Sequence, residues 1–119
     1  PMTVNRNYNP PAFAGENTLA VISSYSGNTE ETLSAFSEAR ARKCRILCIT
    51  SGGEVERIAN ENSIDVLKIP GGLQPRCALG YSFFSLLIAL TKLDLIPDKT
   101  DDINATIKHL QDLSHSYSY

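Results

Sequence analysis

The sequence lacks the features that mark several large functional classes. Its 119 residues hold 11 Lys and Arg against 13 Asp and Glu, a formal net charge of −2. No basic stripe runs along any segment, which argues against a nucleic-acid or anionic-membrane partner. No apolar run approaches the roughly 20 residues that span a bilayer. The N-terminus has no basic segment leading into an apolar core, so a cytoplasmic address and no membrane partner are the expectation. Cysteine is sparse and odd in number, at Cys44, Cys48 and Cys77; two of the three flank or lie in an apolar strand, which suits reduced thiols packed as small hydrophobes. Cys44 and Cys48 are expected on one face of a strand, too far apart to share an ion, and no His-rich motif accompanies them. The lysine loop of nucleotide phosphate sites is missing, and no glycine triad opens a helix after a strand, so a phosphate monoester is favoured over a nucleotide. No paired acids stand at strand ends to hold Mg²⁺. Neither metal nor cofactor is expected.

What is present begins at Leu19-Ala20-Val21-Ile22, apolar without alternation as in a parallel strand buried on both faces. It runs into Ser23-Ser24-Tyr25-Ser26-Gly27-Asn28-Thr29-Glu30-Glu31-Thr32, after which Leu33, Phe36 and Ala39 recur at helical spacing. A helix start carries unpaired N–H groups and about half a positive charge, so an anion there gains hydrogen bonds and dipole attraction. Ser24, Ser26 and Thr29 would add hydroxyls. The plain alternative is helix capping: Asn28 as the cap with Glu31 as its return partner, and Gly27 serving a turn. One cap needs one side chain, and the excess of hydroxyls favours phosphate.

Along the chain, Met2-Thr3-Val4 is a candidate strand and residues 5–11 a loop. Strands are expected at 19–24, 45–49 and 64–69, with helices at about 29–42 and 54–60. Pro70-Gly71-Gly72-Leu73-Gln74-Pro75 is a stiff turn. Pro75 is suited to the first position of the longest helix, which carries Leu79, Phe83, Leu86, Leu87 and Leu90 on one face. Residues 101–113 form a last helix after Pro97. This alternation implies an α/β domain with a parallel sheet and right-handed crossovers. Arg76 would then sit in a first helical turn, against the dipole, as though aimed at an anion at the sheet edge that carries the serines. An exposed Arg bonded to water is the alternative.

Ser24 to Thr32 resembles the phosphate loop of sugar isomerase (SIS) domains. Pro70-Gly71-Gly72-Leu73-Gln74-Pro75-Arg76, continuing through Ala78-Leu79-Gly80-Tyr81, resembles the narrower family of bifunctional phosphoglucose/phosphomannose isomerases. With Cys48-Ile49-Thr50-Ser51-Gly52-Gly53, the likeness covers about residues 2–93. It implies a three-layer, flavodoxin-like parallel-sheet sandwich. Residues 1–97 would be a partial SIS domain, and residues 98–119 a helix leading to a second one. By the resemblance, Ser24, Ser26 and Thr29 hold the phosphate of a sugar substrate, with Tyr25, Gly27 and Asn28 as further pocket candidates. Arg76 would stabilise charge on the enediolate of an aldose–ketose isomerisation, as an oxyanion hole does.

The resemblance also implies a base Glu and a ring-opening His from a second half of the protein and across a homodimer, and no residue here matches them. His109 and His115 are expected on a solvated helix and tail. Glu30 and Glu31 are explained as first-turn acids, and Glu54 would act as a base only by accident of position. Family members also begin with a helix and then a strand ending in a Gly/Ser-rich turn ahead of Met2, a strand that would lie centrally, between Met2-Thr3-Val4 and residues 19–24. The chain is therefore expected to be an internal fragment. Two other readings stay open: a phosphosugar-sensing SIS module, and another SIS isomerase.

Overall fold

The chain is described by a computed structural model covering residues 1–117. Three runs of apolar residues become strands: β1 (Leu19–Ser23), β2 (Arg45–Thr50) and β3 (Asp65–Lys68). They pair in parallel in the order β1-β2-β3, with Ile22 opposite Cys48 and Cys48 opposite Val66. Helix α1 (Glu30–Ala41) joins β1 to β2, and α2 (Gly53–Glu61) joins β2 to β3. A strand order that steps one way across the sheet sends successive right-handed crossovers over the same face. Phe36 of α1 and Val55 and Ala59 of α2 accordingly share one apolar cluster with Ile22 and Cys48. Ala20, Leu33, Ile46, Ile58, Ile64 and Val66 pack around it. On the opposite face Ile49 is buried, with Val21, Leu47 and Leu67 half-buried. The α/β parallel architecture expected from the sequence is therefore present.

Beyond β3 come a single 3-10 turn at Pro75–Cys77, then α3 (Leu79–Lys92) and α4 (Thr100–Tyr117). The chain divides into two compact units, Pro1–Ser82 and a second beginning at Phe83. In the second unit the Phe83 and Phe84 rings meet edge to face at 5.3 Å, and Leu93, Leu95, Ile107, Leu110 and Tyr117 are exposed. Asp98 Oδ1 accepts from the Thr100 hydroxyl (2.7 Å) and amide (2.9 Å) ahead of α4. These bonds hold the exposed Asp98 carboxyl below its ordinary pKa. None of the described helices is long and apolar enough to cross a membrane.

Several expectations need correction. Met2-Thr3-Val4 forms no strand: Met2 and Val4 are exposed, and a three-residue segment with no neighbour has nowhere to place its backbone hydrogen bonds. Pro75 opens a separate turn, closed by Cys77 N–H to Gln74 O and Ala78 N–H to Pro75 O, before α3 begins. Arg76 thus lies in that turn and not in the first turn of the long helix. The longest helix is α4, with 18 residues against 14 for α3. It runs through Ser114 to Tyr117 because no Gly or Pro stops it; Ser118 and Tyr119 of the expected tail lie outside the described residues. On α3, Leu79 and Phe83 are exposed while Leu86, Leu87 and Leu90 are partly covered. Cys44 precedes β2, its amide donating to Ala39 O, so it does not share a strand face with Cys48.

Candidate functional site

Because the strands are parallel, the loops at residues 24–29, 51–52 and 69–74 all leave the sheet at its carboxyl edge. That edge is where open α/β sheets bind ligands. Ser24 follows β1 directly and is only 5% exposed. Its Oγ accepts the Gly27 amide at 3.1 Å and meets Thr29 Oγ1 at 2.9 Å. Ser26 Oγ accepts the Asn28 amide at 3.2 Å. Backbone donors thus load the oxygens of Ser24 and Ser26. One hydroxyl proton serves the Ser24–Thr29 bond, leaving two for a ligand. Thr29 is the N-cap of α1, with φ −66° and ψ 121°, and gives the helix no side-chain cap bond. The amides that open α1 therefore lack the side-chain acceptor that capping would supply.

The capping arrangement expected of Asn28 and Glu31 is absent. Asn28 Oδ1 instead accepts the Glu54 amide at 3.0 Å, in the first turn of α2. This is one of a set of ties between the first and second loops. Ser24 N–H donates to Ile49 O at 3.1 Å, Ser51 N–H to Tyr25 O at 3.1 Å, and Val55 N–H to Gly27 O at 2.9 Å. The Ser51 hydroxyl also donates to Tyr25 O. Thr50 Oγ1, fully buried, accepts the Gly52 amide at 3.2 Å and steadies the second loop. The loops approach so closely that a Cβ on Gly27 would strike the Gly52 carbonyl, and one on Gly53 would strike Ser26 O. Both glycines adopt positive φ, 73° and 71°. Thr50 to Gly53 enters the sequence reading as a stop to the second strand and as part of the resemblance, with no site residue assigned to it. The paired glycines at 52 and 53 were the available signal that something passes close by.

The third loop is attached differently. After Ile69 N–H donates to Thr50 O (3.0 Å), residues 70–74 make no backbone–backbone bond to the sheet or to the other loops among the described residues. One bond from a side chain reaches them: Leu73 N–H donates to the Tyr25 hydroxyl at 2.8 Å. Arg76, three residues on, is exposed, and no described group forms an ion pair or hydrogen bond with its guanidinium.

The acids near the edge are otherwise engaged or exposed. The Arg57 guanidinium pairs with both Glu54 and Glu61. Its hydrogen bond to Glu54 holds that carboxyl below its ordinary pKa, which makes Glu54 a poor proton acceptor. Glu30, then Glu31, in the first turn of α1, raise the pKa of the exposed Tyr8. His109 and His115 lie on exposed α4. No group of His, Cys, Asp and Glu among the described residues is arranged to hold a metal ion.

No family model matches the chain. It is 50% identical over 117 residues to the bifunctional phosphoglucose/phosphomannose isomerase of Caldicellulosiruptor bescii, covering 98% of this chain and 34% of that protein. The protein of the same name from Thermoplasma acidophilum is 42% identical over 113 residues, 95% of this chain and 34% of its own length. The D-glucosamine-6-phosphate 4-epimerase of Sulfolobus acidocaldarius is 38% identical over 76 residues, 63% of this chain and 25% of that protein. The chain spans about a third of the length of each of these two isomerases.

Proposed function

We propose that this chain is the phosphosugar-holding part of a bifunctional phosphoglucose/phosphomannose isomerase of the SIS type. The observation that carries the reading is the loop at 24–29. Two of its serine oxygens are already loaded by backbone N–H groups, two hydroxyl protons remain, and α1 opens without a side-chain cap. This is what a phosphate monoester needs at a helix start. The relatives' names support the same reading from another direction, since isomerase and epimerase differ in the bond they act on but share a hexose phosphate.

In this reading Ser24, Ser26 and Thr29 hold the phosphate. Gly27 shapes the loop and Asn28 fixes it against α2. Arg76 stabilises the oxygens of an enediolate formed as a proton moves between neighbouring sugar carbons, a role its unpaired guanidinium leaves open. The base and ring-opening groups come from elsewhere in a homodimeric parent, so the 119-residue chain does not itself isomerise fructose 6-phosphate. Arg76 favours an enzyme over a sensing module, because a sensor needs no charge at the reacting carbons.

Calorimetric titration of the chain with fructose 6-phosphate and with inorganic phosphate tests the assignment. Replacing Ser26→Ala and Thr29→Ala together is expected to weaken both ligands by at least about tenfold, as for lost hydrogen bonds to a charged group. Equal affinity in the folded double variant would remove the phosphate from this loop.

A further inference from the structure

We propose that Tyr25 is a positioning residue that ties the Arg76 segment to the phosphate loop, and not a wall of the pocket. The proposal deepens the phosphosugar reading and rests on it. Tyr25 sits between Ser24 and Ser26, and its backbone carbonyl is fixed by the Ser51 amide and hydroxyl. Its hydroxyl oxygen is occupied by the Leu73 amide at 2.8 Å. No other hydrogen bond holds residues 70–73 to the sheet or to the first two loops among the described residues.

The chain on either side of that bond is built for it to matter. Toward β3 lie Gly71 and Gly72. Gly72 has φ 83°, and a methyl there would meet nothing within 4 Å, while one on Gly71 would lie in ordinary contact with Ser51. Toward Arg76 the segment is stiff: Pro75 fixes its own φ, and the turn is closed at 2.8 and 3.1 Å by the Cys77 and Ala78 amides. A hinge on one side and a rigid turn on the other leave the Tyr25 bond to set where Arg76 points. Phosphate affinity then depends on the first loop alone. Recognition of charge at the far end of the sugar depends on Tyr25 acting through Arg76.

Inorganic phosphate reads the first loop, and 6-phosphogluconate adds a carboxylate at carbon 1 where Arg76 would act. For the 119-residue chain, Tyr25→Phe is expected to lower the ratio of 6-phosphogluconate to phosphate affinity about fivefold, the effect of one neutral hydrogen bond. Arg76→Ala lowers it further, and adding Tyr25→Phe to Arg76→Ala changes nothing more. Additive losses, or equal weakening of both ligands by Tyr25→Phe, would overturn the proposal. The bond has its own readout without ligand: the Leu73 amide should exchange hydrogen faster in Tyr25→Phe than in the parent chain. Unchanged exchange also overturns it. A parent chain that binds neither ligand while its Leu73 amide is protected would instead fail the phosphosugar reading, and the positioning role with it.

Discussion

The first and third loops of the carboxyl edge are held in opposite ways. Residues 24–29 are pressed against the second loop by backbone bonds, an Asn28 side-chain bond and two glycines with no room for a Cβ. Among the described residues, the one hydrogen bond from residues 70–74 to the sheet or the other loops goes to the Tyr25 hydroxyl, beside a glycine with open space for a Cβ. Under the proposed function, a phosphate that is nearly the same in every substrate would suit a rigid first loop, because no ordering has to occur on binding. The sugar end would then fall to the third loop, the less tightly bonded of the two.

The largest break in this contrast should come from Gly27→Ala. The added methyl meets the Gly52 carbonyl and the residue must keep φ near 73°. Moving a backbone carbonyl costs on the order of 3 kcal/mol or more, so thermal unfolding should show a large drop in Tm and phosphate binding should vanish. Gly72→Ala tests the third loop by the same change. Nothing obstructs its methyl, so only the positive φ is penalised, at about 1 kcal/mol. Phosphate affinity should stay within twofold; a loss matching that of Gly27→Ala would erase the distinction between the loops.

The smallest effect is chemical. Exposed Cys77, in the third-loop turn, should react at once with a thiol reagent at neutral pH, and half-buried Cys44 more slowly. Cys48 should wait for unfolding, since burial pushes its pKa up to about 11. The raised value also sets a sign. Stability from the neutral Cys48 thiol is complete below pH 9 and declines as pH rises toward about 11, because the unfolded chain ionises first. Denaturant midpoints measured between pH 8 and 11 would show it, and a Cys48→Ala variant should lose that part of the slope.

How far the sequence disclosed this follows the range of the forces involved. β1, β2 and β3 were legible because their apolar runs are self-contained signals, and α1 and α2 because a 3.6-residue repeat is local. The strand expected at Met2 failed because three residues cannot say whether a neighbour exists to pair with. Asn28 was legible as a cap but not as the acceptor for the Glu54 amide in the first turn of α2, 26 residues away. The same side chain serves either helix, and the close passage of Gly27 and Gly53 decides which. Pro75 suits the first position of a 3-10 turn as well as that of an α-helix, so the break before α3 left no mark in composition. The crowding of hydroxyls at Ser24, Ser26 and Thr29 was visible. Which of their lone pairs the backbone would occupy was not.

The bond from the Glu54 amide to Asn28 carries a consequence for anyone wishing to move this loop into another protein. The decapeptide from Ser23 to Thr32 looks portable, a cassette to splice between any strand and helix. Its shape is written partly in a distant stretch, Thr50 to Val55, which supplies the opposing glycine and the amides that clamp it. The smallest transplantable unit therefore runs from Leu19 to Val55, two strands and a helix together, and a graft of the decapeptide alone would arrive without its mould.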